Sequence, residues 1–155
     1  MATISITGPL EGEPVDLGST KMRILEDGST TDGRLGMAVS TLAPHTQGPP
    51  QHLHGRHDEG FYVISGTARF ISGDDVYDAP AGSLVVVPPG VPHTFENPGD
   101  EPMMMLSTFS PSFHIQYFRD MAEMIASGRP VTPESTGEIM ARYTTAPAAS
   151  TRDAG

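Results

Sequence analysis

The chain has 155 residues, and its 19 acidic residues against nine Lys and Arg give a formal net charge of −10. This length suits one domain, and the absence of cysteine excludes disulfides and thiolate ligands, so any metal must be bound through nitrogen and oxygen. The acidic balance disfavours nucleic acid and anionic membranes as partners, because phosphate binding requires a basic surface.

The first residues of the chain show no sign of export. They lack the charged start and the long apolar stretch of a secretory signal. Nowhere does an apolar run approach the roughly 20 residues that span a bilayer. We therefore expect a cytoplasmic protein with no membrane partner.

Short apolar segments rich in β-branched and aromatic residues follow one another over residues 21–109. They read KMRILE, RLGMAVSTL, EGFYVIS, TARFIS, SLVVVP, HTFEN and PMMMLSTF. Turn sequences such as Ser65-Gly66 and Pro-Pro-Gly at 88–90 separate them. Strands of this length at near-regular spacing predict an all-β sandwich or barrel over residues 1–110.

The pattern changes to helical spacing after Pro111. Apolar residues recur at positions 115, 118, 121, 122 and 125, with Pro111 suited to the first helical position and Gly128 to the end. A second helix is predicted from Thr132 to Tyr143. Residues 111–143 should therefore be helices that pack on the barrel within a single domain. The small, polar residues 144–155 are predicted to be disordered.

Half of the six histidines stand in the stretch QHLHGRHDE. In a strand, residues i and i+2 point to the same face, so His52 and His54 would present two imidazoles side by side. Glu59 can return on the next strand and face the same cavity. A solvated, His-rich loop is the alternative. The stretch GSLVVVPPGVPHTFEN favours the metal site, because His93 follows a Pro-Pro-Gly turn that can bring a third imidazole back.

Together the two stretches resemble the two sequence motifs of the cupin superfamily. The first motif, His-x-His, four residues, Glu, six residues and Gly, matches His52, His54, Glu59 and Gly66. The second matches Gly82, Pro88, Gly90, His93 and Asn97. One departure is the leading glycine of the first motif, where this chain has Thr46, with Gly48 nearby. The resemblance implies a cupin jelly-roll β-barrel (a double-stranded β-helix) with a C-terminal helical segment.

The resemblance also implies one divalent transition metal per chain. Iron, nickel, manganese, copper, cobalt and zinc all suit such a ligand set, and the sequence does not choose among them. The implied metal ligands are His52, His54, Glu59 and His93. Glu59 can in addition act as the catalytic general base.

Strand parity predicts the residues that contact a substrate. Phe61 lies two positions after Glu59, and Phe95 lies two after His93, so both should face the cavity. Neighbouring strands and the first helix add Met37, Met104 and Phe118, although the register of the two methionines is open. Aromatic rings and thioethers favour a hydrophobic aromatic small molecule as substrate.

Small single-domain cupins with this ligand set resemble quercetin dioxygenase-type enzymes, which use dioxygen to cleave a flavonol ring. The alternatives are a non-redox polyketide cyclase or isomerase, and a metal-binding or ligand-binding module without catalysis. A homodimer is expected from the same resemblance. Of the other polar residues, we expect His57 and Asp58 to face solvent in a turn, His45 to lie in a loop, and His114 to be exposed or capping.

Overall fold

The computed structural model of the protein describes residues 3–149, which form three groups of antiparallel strands and two helices. Each apolar segment of the sequence overlaps a strand, so the predicted β body is confirmed. The strands are β1 (Glu13–Asp16), β2 (Thr20–Glu26), β3 (Gly36–Leu42), β4 (His52–His54), β5 (Asp58–Ser65), β6 (Thr67–Ser72), β7 (Asp75–Pro80), β8 (Leu84–Val87), β9 (Thr94–Glu96), β10 (Met103–Ser110) and β11 (Thr145–Pro147).

A six-stranded sheet in the order β1-β2-β3-β10-β5-β8 forms one side of the barrel. On the other side lie the sheet β7-β6-β9 and the pair β11-β4. A bridge between His52 and His93 joins these two smaller units. This arrangement is the cupin jelly roll that the resemblance implies.

The interior between the sheets is apolar at one end. Phe61 and Met105 of the large sheet pack with Phe70 of the small one in a single buried cluster. Alternation along β3 and β10 buries every second residue, as expected for strands with one face in a core. The polar side chains of His52, His54, Glu59 and His93 and the two helices lie at the other end of the barrel.

Two helices follow the barrel, α1 (Ile115–Ala126) and α2 (Pro133–Arg142). The second starts as predicted, because Thr132 caps it in a capping box and Pro133 takes the first helical position. The first helix starts later than predicted. Pro111 is extended, and a single 3₁₀ turn at Ser112–His114 precedes the helix.

The prediction of a disordered tail from residue 144 is wrong for β11. Its three residues pair antiparallel with β4 and thereby satisfy the backbone groups of that short strand. The sequence Thr-Ala-Pro has little strand propensity, so only the tertiary partner makes it a strand. Residues 150–155 lie outside the described part of the chain.

Several residues of the two motifs have structural roles. Gly66 and Gly90 have φ angles of 76° and 82°, which a glycine adopts without strain. The buried Asn97 amide donates to the carbonyl oxygens of Leu42, Ala43 and Glu101 at 2.8–3.1 Å. These contacts hold the loops at the ends of β3 and β9 together.

Within residues 3–149, neither helix is long and apolar enough to cross a membrane.

Candidate metal centre

Four side chains predicted as metal ligands meet inside the barrel. His52 and His54 lie on β4, Glu59 on β5, and His93 directly before β9. Their donor atoms all lie within 4.8 Å of one another, and all four residues are buried. The paired backbones of His52 and His93, with N···O distances of 3.1 and 2.9 Å, hold two of the imidazoles side by side.

Glu59 stands at the centre of this group. Its Oε2 atom lies 2.8 Å from Nε2 of His93 and 3.0 Å from Nε2 of His54. The ring of His52 is 4.6 Å from that of His93 and 4.9 Å from that of His54, measured between centroids. Three imidazoles thus converge on one carboxylate.

The outer nitrogen of each imidazole is held by an acceptor. Nδ1 of His52 donates to the carbonyl oxygen of Pro50 at 2.9 Å, and Nδ1 of His93 donates to that of Val91 at 3.1 Å. Nδ1 of His54 donates to the hydroxyl of Thr145 at 2.9 Å. Carbonyl oxygens only accept, and the Thr145 hydroxyl itself donates to the carbonyl oxygen of Tyr143 at 3.3 Å, so these partners place the proton on each Nδ1 and leave a lone pair on each Nε2.

This tautomer fits a cation between the four residues. Lone pairs of neutral imidazoles facing an ionised carboxylate repel one another, and Nε2 of His54 has no hydrogen-bond partner in the described structure. A buried polar atom left in this way costs about 1–3 kcal/mol. A divalent transition metal accepts all four donors, and the hydrogen-bonded Nδ1 atoms orient them.

The charge states of the site also suit a metal. Burial and the neighbouring His93 lower the pKa of His52 to about 4, and burial lowers the pKa of His54, so both rings are neutral near pH 7. Burial alone would raise the pKa of Glu59. The neighbouring imidazoles of His54, His57 and His93 outweigh burial and hold the pKa of Glu59 well below its usual range. Neutral imidazoles and an ionised carboxylate are the ligand forms that bind a metal.

The tail strand β11 therefore contributes to the site through Thr145. Replacing Thr145 by Val removes the acceptor for Nδ1 of His54, and we expect the affinity for Zn²⁺ to fall about 10–100-fold. Calorimetric titration of the metal-free variant with Zn²⁺ measures this effect. Thr7→Val, the same change at an exposed position, is the matched control and should bind like the wild type. Unchanged affinity in Thr145→Val would show that this hydrogen bond does not orient the ligand.

A cavity of about 430 Å³ opens directly onto these ligands. Its polar end contains His52 and Glu59, and Phe61, Phe95 and Phe118 are part of its wall. These three aromatic residues lie where the sequence analysis places them; a role in substrate binding stays a prediction. Helix α1 adds Tyr117 and Met121, and α2 adds Met140, so the helices close one side of the cavity.

Two residues predicted to contact substrate lie elsewhere. Met37 pairs with Thr108, and Met104 pairs with Thr41, all on the outer face of the six-stranded sheet. The alternate residues, such as Ser40 and Ser107, face the cavity. The prediction for Met37 and Met104 is therefore wrong. A shift of one residue in register exchanges the two faces of a strand.

The predictions for two other histidines also need correction. His57 is 1% exposed and His114 is 3% exposed, so neither faces solvent. Their ring centroids lie 4.6 Å apart, and each ring lies beside that of His54. The reason is that the 3₁₀ turn at Ser112–His114 packs over the loop before β5. By contrast, Asp58 and His45 are exposed as expected, and His45 pairs with Asp100 at 2.8 Å.

Sequence reasoning missed three contributors to this region, namely Tyr117, His114 and Thr145. The aromatic spacing of α1 contains a signal for Tyr117, but which face of the helix covers the barrel depends on the preceding turn. His114 stacks on Tyr117, with ring centroids 4.8 Å apart. Burial beside the Glu59 carboxylate raises the pKa of Tyr117 to about 12, so its phenol stays protonated.

Comparison with known protein families finds a similarity within the β body. Residues 38–109 match the family model described as Cupin domain. This segment, a little under half of the chain, is similar to the cupin family. The matched segment contains both motifs and all four converging ligands. No curated protein sequence matches the chain.

Several solved structures share this fold at low sequence identity. KdgF from Halomonas sp. has a TM-score of 0.62 and 20% identity over 70% of this chain and 94% of its own. A Thermotoga maritima protein described as a predicted oxalate decarboxylase has a TM-score of 0.61 and 18% identity, over 70% and 99% of the two chains. Streptomyces PAC13 with uridine has a TM-score of 0.58 and 21% identity, over 74% and 88%. These similarities show the fold alone.

Proposed function

We propose that the protein is a metal-dependent enzyme that acts on a hydrophobic aromatic or enolic small molecule, as a ring-cleaving dioxygenase of the quercetin dioxygenase type. One observation carries this proposal. The apolar, aromatic cavity ends at His52 and Glu59, two of the four converging metal ligands. A substrate bound there has its ring in the apolar part and its oxygen atoms at the ligand end.

The cavity suits a planar substrate in size and chemistry. Its volume of about 430 Å³ lies in the range of small-molecule pockets, roughly 300–1,000 Å³. Phe61 and Phe95, with ring centroids 5.6 Å apart, form one wall, and Phe118 lies on the helix side. Aromatic walls favour stacking of a flat ring, whereas a sugar or phosphate would require many more polar groups.

The chemistry follows from the polar end. A bound metal would supply a Lewis acid and, if it is redox-active, a path for electrons to dioxygen. Glu59 would accept the proton of an enolic hydroxyl that enters beside His52. Because the imidazoles hold the pKa of Glu59 low, the carboxylate is ionised at any pH near neutral. The same contacts weaken it as a base, so transfer is favoured for an acidic enol and not for an ordinary alcohol.

Oxygen uptake tests this proposal directly. Protein reconstituted with Fe²⁺, Ni²⁺, Mn²⁺ or Cu²⁺ should consume dioxygen in the presence of quercetin or a related enol, measured with an oxygen electrode. Chelator-treated protein is the control and should consume none. Turnover that proceeds equally without oxygen would contradict the dioxygenase and favour the cyclase or isomerase alternative. Binding of the enol without turnover under either condition would favour a ligand-binding module.

We also propose that the outer face of the six-stranded sheet pairs with a second copy of the chain. Adjacent strands expose Tyr62, Leu84 and Val86 there, and Val86 is 60% exposed. Val86→Lys should convert a dimer to a monomer in light scattering, because each copy would bury the charge. Val76→Lys, an exposed position on β7, is the control and should not change the mass. A wild-type monomer would contradict the pairing.

The cytoplasmic location stays a prediction.

A further inference from the structure

A second set of metal ligands overlaps the first. His54, His57, Glu59 and His114 also place their donor atoms within 4.8 Å of one another, and all four are buried. The two sets have the same composition of three imidazoles and one carboxylate. They share His54 and Glu59 and differ in the other two histidines.

Unpaired nitrogens point to a ligand in the second set. Both ring nitrogens of His57 and Nδ1 of His114 are buried and have no hydrogen-bond partner in the described structure. An imidazole that served only for packing would leave its polar atoms unsatisfied, at a cost that a phenylalanine ring avoids. The donor set of a transition-metal site gives these nitrogens a partner.

The carboxylate of Glu59 faces both sets. Its Oε2 atom lies near His54 and His93, at 3.0 and 2.8 Å, while its Oε1 atom lies 3.7 Å from Nε2 of His57. A rotation of this one side chain can therefore present an oxygen to either group of histidines. Glu59 is positioned to act as the common ligand.

The charge of the site favours a single ion that occupies one ligand set or the other, and it disfavours two ions bound at the same time. Two divalent ions beside a single carboxylate would leave a formal charge of about +3 in a buried site, where like charges repel strongly. The lone pair on Nε2 of His54 also binds only one ion at a time. The two sets are therefore mutually exclusive.

We propose that the chain holds its single metal ion in either of two positions, one formed by His52, His54, Glu59 and His93 and the other by His54, His57, Glu59 and His114. This proposal rests on the metal binding of the proposed function. Movement between the positions pivots on His54 and Glu59. It exchanges one imidazole of the cavity wall, His52, for another, His114. An ion at either position is therefore within reach of a molecule in the cavity.

A double-mutant comparison tests the second position without using activity. Metal-free protein is titrated with Co²⁺ and followed by calorimetry and by visible absorption. The wild type should bind one equivalent. His93→Ala should still bind one equivalent, with affinity reduced about 10–100-fold. Adding His57→Leu to His93→Ala should lower the Co²⁺ affinity by at least a further 100-fold. His57→Leu alone should change that affinity less than about threefold.

Matched controls separate the ligand role from a folding defect. His45→Leu added to His93→Ala removes an exposed imidazole and should leave the affinity of His93→Ala unchanged. His114→Phe keeps a ring beside Tyr117, so in the His93→Ala background it should reproduce the effect of His57→Leu. Circular dichroism shows whether each variant is folded.

Three results would overturn the proposal. One is a His93→Ala variant that binds Co²⁺ as weakly as His54→Ala, which lacks a ligand of both sets. Another is unchanged binding when His57→Leu and His114→Phe are added to His93→Ala. The third is two equivalents in the wild type, which would mean simultaneous occupation. Wild-type protein that binds no Co²⁺ would instead contradict the proposed function itself.

Discussion

Replacing Glu59 by Gln is expected to lower kcat about 10³-fold while the protein still binds metal at reduced affinity. Gln has nearly the same shape but no charge, so it cannot accept the proton of an enolic substrate, and general-base catalysis contributes about 10²–10⁴-fold. Three imidazoles remain to hold the ion. Steady-state kinetics on protein saturated with metal measure the loss, and a metal assay shows that the ion is present.

The matched control for this variant is Glu96→Gln on β9, which removes a partly buried carboxylate outside the cavity. Its kcat should stay near that of the wild type. Retained kcat in Glu59→Gln would contradict the assignment of Glu59 as the base, even if the metal site is intact. Loss of the metal from Glu59→Gln, with kcat restored at high metal concentration, would assign Glu59 a ligand role only.

The stability of the metal-free protein should fall steeply in mild acid. Burial and His93 lower the pKa of His52 from 6.5 to about 4 in the folded protein. Between these pH values the unfolded chain takes up a proton that the folded chain does not. The free energy of unfolding is therefore unaffected above about pH 6.5 and decreases as the pH falls to 4, by about 3 kcal/mol from His52 alone.

Other titratable groups in the site also lower the free energy of unfolding as the pH falls. Burial lowers the pKa of His54 and of His114, and the pKa of Glu59 is also held low in the folded state. Urea denaturation between pH 7 and pH 4 measures the effect. His52→Gln should flatten the pH dependence by about 3 kcal/mol relative to the wild type, whereas the exposed His45→Gln should not change it. An equally steep decrease in His52→Gln would contradict the assignment to His52.

The fold was predictable because strand segments and turns leave a local pattern. Both cupin motifs are local too: the i, i+2 spacing of His52 and His54 and the Pro-Pro-Gly turn before His93 each determine which way a side chain points. The convergence of Glu59 on the same group follows from the short connection between β4 and β5. These features require no knowledge of distant packing.

The wrong predictions concern residues whose positions depend on packing between segments that are distant in the sequence. His57 and His114 are 57 positions apart along the chain, and only the 3₁₀ turn brings them together. The parity of Met37 and Met104 depends on strand register, which pairing partners set. Thr145 contacts His54 only because β11 adds to a strand 91 residues earlier. No local pattern in the sequence encodes these contacts.

The most direct test of the metal centre is the metal content of the purified protein, measured by plasma mass spectrometry beside two variants. His54 belongs to both ligand sets, so His54→Ala removes a ligand from either position, and His45→Ala removes an exposed histidine as the control. We predict close to one equivalent of a divalent transition metal in the wild type and in His45→Ala, and almost none in His54→Ala. No metal in the wild type after reconstitution, or equal metal in His54→Ala, would contradict a metal centre formed by these residues.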